Sequence, residues 1–113
     1  IVANIYPTFT YVDDPGRFVS RADAQEDYVN QVSAYRKRLW RIMETEVKGP
    51  WFLGDRFSAI DIYIAVMNHW QPRADWFAEQ TPAMHAIAGR CARDPVLRPA
   101  FQKNFPGSPH WQV

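Results

Sequence analysis

The chain has 113 residues, and its 13 basic and 12 acidic side chains leave a formal net charge of +1. That length suits one domain with a sizeable core, and the interspersed charge gives no reason to expect a nucleic-acid or membrane partner. A single cysteine, Cys91, excludes an internal disulfide and favours a reducing compartment, which points to the cytoplasm.

The first six residues, Ile-Val-Ala-Asn-Ile-Tyr, are apolar and helix-like, and no capping residue precedes them. The expectation is a chain that enters partway along a helix, with an upstream portion missing. Pro7 should kink or end that helix. Tyr6, Phe9, Tyr11 and Phe18 make the opening aromatic-rich. They either lie against the next helix or face a ligand cleft. Asp13-Asp14-Pro15-Gly16 reads as a turn.

A long helix is predicted over residues 22–47. Tyr28, Val32, Tyr35, Leu39 and Ile42 step along it by fours and threes, and Val29, Trp40, Met43 and Val47 widen that face. Arg36, Lys37, Arg38 and Arg41 form a basic cluster. Flanking acidic residues and the lack of interleaved aromatics favour a solvated helix face over a phosphate or RNA site. Lys48-Gly49-Pro50 stops the helix, and residues 51–56 form a link in which Gly54 permits a tight backbone turn.

Residues 57–70 are the stretch around which the rest is arranged. From Ala59 to Met67 the only charge is Asp61, so this helix is predicted to be apolar all round and central to a bundle. Ser58 reads as its N-cap, and Asp61, three residues on, as the carboxylate that reaches back to the Ser58 amide. Phe57 and Ile62 occupy the positions of a hydrophobic staple. Asp61 is therefore read as a structural cap rather than a catalytic acid. Ser58→Ala and Asp61→Ala are each expected to cost about 1–2 kcal/mol.

The helix is predicted to run to about Gln71, before Pro72. Residues 73–80 form a connection with room for one short helical turn. Thr81-Pro82 then starts a helix, with Thr as cap and Pro at the first position. Met84, Ile87, Ala88 and Cys91 share one apolar face. Asp94-Pro95 repeats the start signal before Leu97, Phe101 and Phe105, and residues 107–111 form a tail. His69, His85 and His110 are scattered in sequence without metal-ligand spacing, so no metal site is expected. Cys91 reads as a small buried hydrophobe. No phosphate-binding glycine loop, dinucleotide fingerprint or nucleophile elbow is present, and no catalytic residue is assigned.

The run Trp51-Phe52-Leu53-Gly54-Asp55-Arg56-Phe57-Ser58-Ala59-Ile60-Asp61 resembles the segment leading into the buried helix of the C-terminal domain of cytosolic, bacterial-type glutathione S-transferases. The long helix before Gly49-Pro50, the Thr81-Pro82 and Asp94-Pro95 starts, and the placing of Arg90 and Arg93 extend the resemblance over residues 1–113. It implies an all-α fold, a bundle of about five helices of the glutathione S-transferase C-terminal kind. The thioredoxin-like N-terminal domain, which binds glutathione and carries the thiol-activating residue, would be absent, so this piece alone would be inactive.

In such a parent this domain would supply the apolar wall of the site for hydrophobic electrophiles and part of a homodimer interface. Glutathione would be co-substrate, and no cofactor is implied. The wall candidates are Tyr6, Phe9, Thr10 and the tail residue Trp111, with Met67 and Trp70 as weaker ones. The alternative reading is a non-catalytic protein-assembly module of the same fold, or a plain structural bundle. A small pocket beside the aromatic opening would favour the enzyme, and a large exposed apolar patch on one helix pair the assembly module.

Overall fold

The computed structural model describes residues 1–110 and, of Trp111, the backbone alone. Among the described residues there are six α-helices and no strand, in line with the all-α expectation. The chain divides into two compact units, residues 1–43 and 44–113.

In the first unit, residues 2–6 form a turn rather than a helix. The amides of Ile5 and Tyr6 both donate to the Ile1 carbonyl, at 2.9 and 3.0 Å. Pro7 begins α1 (Pro7–Asp13) instead of interrupting it. Its missing N–H costs nothing at a first helical position, where that donor has no intrahelical partner. A 3-10 turn, Pro15–Arg17, follows where the Asp-Pro-Gly cluster predicts one.

The long helix, α2 (Ala22–Thr45), ends two residues earlier than predicted. Its buried face also differs from the predicted stripe. Trp40, on the predicted face, is fully buried, but Tyr35 and Ile42 are exposed and Arg36 is only 3% exposed. Arg36 is thus not part of a solvated basic face. Its Nε donates to the Thr8 hydroxyl at 2.7 Å and its Nη2 to the Thr8 carbonyl at 3.2 Å. Thr8 in turn donates to the Ile5 carbonyl at 2.5 Å. A planar guanidinium can enter an interior in this way when its donors find fixed acceptors.

In the second unit, the loop after α2 is closed by its own backbone. Trp51 and Gly54 exchange hydrogen bonds of 3.0 and 3.1 Å, and Lys48 N–H donates to the Phe52 carbonyl. Gly54, at φ +119, supplies a backbone that other residues rarely adopt. α3 (Ala59–Met67) opens with the predicted reciprocal capping box. The Ser58 amide donates to Asp61 Oδ2 at 2.8 Å, and the other carboxylate oxygen accepts the Phe52 amide at 2.8 Å. Asp61 therefore ties the loop to the helix as well as capping it.

The helices α4 (Ala74–Gln80), α5 (Pro82–Arg93) and α6 (Arg98–Asn104) complete this unit. The hub is α5, which contacts α3, α4, α6 and the 3-10 turn Pro109–Trp111. Met84, Ile87, Ala88, Cys91 and Ala92 on α5 are all fully buried. Apart from Asp61, α3 is apolar, as predicted, but it is not buried all round. Ile64, Ala65 and Met67 are buried, while Ile62, Tyr63 and Val66 stay half-exposed.

The start of α5 departs from the predicted cap. The Thr81 hydroxyl donates backward to the Phe77 carbonyl at 3.2 Å and caps nothing. The Glu44 carboxylate takes that role, accepting the Ala83 and Met84 amides at 2.7 and 3.0 Å. A carboxylate binds such orphan amides more strongly than a hydroxyl and also complements the helix dipole. Asp94 Oδ1 accepts the Val96 and Leu97 amides as a cap would, but the residues it closes form a turn, and α6 begins at Arg98 rather than at the predicted Asp94-Pro95 start.

Candidate functional site

Three surfaces are candidates. The first is the aromatic side of α1. Tyr6 is 43% exposed, Thr10 is exposed, and Phe9 is half-buried, with the Arg36 guanidinium 3.8 Å from its ring centroid. Tyr11 and Phe18 stand edge-to-face with centroids 5.5 Å apart, and Phe18 continues to Tyr28 on α2 at 6.2 Å. Tyr11, Phe18 and Tyr28 make a run of ring contacts onto α2, as the packing reading expects, while Tyr6 and Thr10 are exposed. The candidate side chain of Trp111 lies outside the described residues.

The second surface is an apolar groove of about 450 Å³ between α3 and α6. Ile62, Val66, Trp70, Leu97, Phe101 and Phe105 line it. Of the two weaker candidates, Trp70 lines this groove, whereas Met67 is 1% exposed and belongs to the core.

The third is a more polar pocket of about 330 Å³, bounded by His69, Arg73, Asp75, Phe105 and residues 107–109. Behind it the fold gathers the three histidines that stand apart in sequence. His69 Nδ1 lies 2.8 Å from the Ala65 carbonyl and Nε2 lies 2.6 Å from the Ser108 hydroxyl. A carbonyl only accepts, so Nδ1 carries the proton and Nε2 accepts from Ser108. The imidazole is stacked on Phe105, centroids 4.1 Å apart. His110 Nε2 lies 2.9 Å from Asn68 Oδ1, and the His110 ring is 5.4 Å from that of His69 and 4.6 Å from that of His85.

Burial depresses the basicity of all three imidazoles. For His69 the hydrogen bond to Ala65 opposes that effect, and for His85 the charge of Asp75 does. His110 is pushed down to about 4, by burial first and then by His85, His69 and Arg93.

The Ser108–His69 pair has the outline of a nucleophile and its base. Its surroundings argue for a clasp. Ser108 is 4% exposed and its Oγ already accepts the His110 amide at 3.3 Å. A backbone carbonyl rather than a carboxylate orients the imidazole, and burial weakens it as a base. Among the described residues no set of three or more His, Cys, Asp and Glu side chains could hold a metal ion. The Cys91 thiol is raised to about 12, chiefly by burial and then by Asp61 and Asp94, and is held as the inert thiol. No described helix is long and apolar enough to cross a membrane.

Sequence spacing missed Arg36 and the histidine cluster. Arg36 could have been found, because it falls on the line Val29, Val32, Arg36, Trp40 and Met43. The cluster could not, since its members come from the end of α3, from α5 and from the tail.

No protein-family model matches the chain, and no solved structure does. It is 32% identical over 105 residues to an uncharacterized GST-like protein, YncG, of Escherichia coli K12. The aligned part is 92% of this chain and 50% of the relative, so the chain spans about half the length of that protein. The capping box and the all-helical fold, together with this similarity to half of a GST-like protein, are consistent with a glutathione S-transferase-like helical domain of the C-terminal kind.

Proposed function

We propose that this domain forms the apolar wall of an electrophile site in a glutathione S-transferase, where a separate domain binds glutathione and activates its thiol. The observation that carries the reading is the exposure of Tyr6 and Thr10, with the half-buried Phe9 between them, on the opening segment of a chain whose relative is named GST-like. Such a surface binds an apolar molecule by desolvation and holds it in place. Orientation of the two reactants then lowers the barrier to thiolate attack. In this reading residues 1–113 are one such domain, without catalytic activity of their own, working as a homodimer in the cytoplasm. Neither a metal nor a cofactor takes part.

The test uses the fluorescent apolar probe 8-anilinonaphthalene-1-sulfonate on the chain as it stands. Binding should weaken at least fivefold in Tyr6→Ser and Phe9→Ser at unchanged helicity. Equal affinity in both variants would refute the wall. Sedimentation of the same samples decides between dimer and monomer.

The α3–α6 groove favours a second reading, a non-catalytic assembly module, because it is an open apolar surface on one helix pair. Probe binding lost in Val66→Asp and kept in Tyr6→Ser would move the assignment there.

A further inference from the structure

The tail after α6 folds back onto the bundle, and imidazoles hold it there. Ser108 donates to His69, the His110 ring donates to Asn68, and Arg93 Nη1 donates to the His110 carbonyl at 3.3 Å. Ser108 and His110 are each 4% exposed. Of these bonds, the one from the Ser108 hydroxyl to His69 Nε2 depends on the neutral ring, whereas His69 Nδ1 and His110 Nε2 donate in either state. Adding a proton to His69 Nε2 turns the Ser108 acceptor into a second donor. A cationic His110 would stand against His85 and His69, with Arg93 already beside it.

The groups facing the cluster from each element offer little compensation. The end of α3 supplies Asn68 and His69, α5 supplies His85 and Arg93, α6 supplies the ring of Phe101, and the tail itself supplies that of Phe105. Arg73 approaches from the start of α4, donating to the His69 carbonyl at 3.0 Å. Asp75 on α4 is the carboxylate that acts on the cluster, through His85. Two polar atoms are already without a hydrogen-bond partner, Asn68 Nδ2 and His85 Nδ1. Asn68 Nδ2 is thus a donor already short of an acceptor, before any further N–H is added beside it.

We propose that His69, His85 and His110 form a proton-sensitive latch. Protonation releases residues 105–111 from α3 and α5 while those helices stay folded, and so opens the pocket of which Gly107, Ser108 and Pro109 are one wall. The released element is small and sits at the low-stability end of the fold, where local opening precedes global unfolding.

The test is amide hydrogen exchange on the whole chain between pH 7.5 and pH 4, corrected for the intrinsic pH dependence, with the histidine ring protons followed by NMR in parallel. The Ser108 and His110 amides, bonded to the Phe105 carbonyl and the Ser108 hydroxyl, should lose at least tenfold of their protection as the rings titrate. The amides of α3 and α5 should keep theirs. His110→Phe, and separately His85→Phe, should shift the opening to lower pH, and either variant serves if the other fails to fold. Tail amides that stay protected with the rings protonated would overturn the latch. Tail and helix amides that open together would overturn it equally.

Discussion

Replacing Asp61 tests how α3 is built. Its side chain is fully buried and serves three donors: the Phe52 amide at 2.8 Å, the Ser58 amide at 2.8 Å and the Ser58 hydroxyl at 3.3 Å. Asp61→Ala leaves two part-buried amides without an acceptor, each worth about 1–3 kcal/mol, so the loss should be about 3–5 kcal/mol. Ser58→Ala removes one cap acceptor and should cost about 1 kcal/mol. The sequence pattern treats the two as equals, and the structure separates them through the Phe52 bond. Urea unfolding followed by circular dichroism reads the difference. With a slope of about 2 kcal/mol/M, the midpoint should fall by about 2 M for Asp61→Ala and about 0.5 M for Ser58→Ala. Phe52 N–H should also exchange faster in Asp61→Ala than in Ser58→Ala. Equal midpoints for the two variants would refute the claim that Asp61 ties the loop to the helix.

Glu44→Gln should cost about 1–2 kcal/mol in the same assay, because the start of α5 loses a charged acceptor for two amides, whereas Thr81→Val should cost less than about 1 kcal/mol. Arg36→Met and Thr8→Val should be non-additive in a double-mutant cycle, with a coupling of about 1–3 kcal/mol, since both remove the same buried bond from Arg36 Nε to the Thr8 hydroxyl. Cys91, with its thiol at about 12, should react with a disulfide reagent at pH 8 at least about 100-fold more slowly than free cysteine. Stability should fall in acid through the histidines. The ordinary value of 6.5 drops to about 4 for His110 in the folded chain, so the unfolded chain binds the proton first. The stability is fully present above about 6.5 and is lost as pH falls toward 4, by at most about 3 kcal/mol for this group. His69 and His85, shifted the same way, add to the loss. Urea midpoints measured from pH 7.5 to pH 4 check the sign.

Local signals were the legible ones. The capping box at Ser58 and Asp61, the Asp94 turn and the apolar face of α5 each depend on residues within a few positions of one another, and the structure contains them all. Periodicity misplaced the buried face of α2, because Arg36 was read by its charge. Its donors are satisfied by Thr8, 28 positions away, which no window on the helix can see. The cap of α5 failed for a similar reason. Thr81-Pro82 carries a valid local start, but Glu44 reaches those amides across 39 and 40 positions and displaces the hydroxyl. The candidate wall at Tyr6, Phe9 and Thr10 was legible as aromatic content. The groove and the histidine pocket, which need three or more segments to meet, were not.

α3 shows why those long-range ties matter. At nine residues it is too short to be stable as an isolated helix in water. Burial of Ile64, Ala65 and Met67 supplies an apolar driving force, but burial is indifferent to direction and leaves both helix ends to be fixed by polar atoms. The first end is fixed by a carboxylate that also holds the preceding loop. The other is fixed by Asn68 and His69, which hold the tail. The two fastenings answer to different conditions. The Ser108 hydroxyl donates to His69 Nε2 only while that nitrogen carries no proton, whereas Asp61 serves its three donors as an acceptor. A chain with such ends can shed its tail in acid without losing the helix. It can lose the helix at neutral pH only by changes that touch the Asp61 end or the core itself.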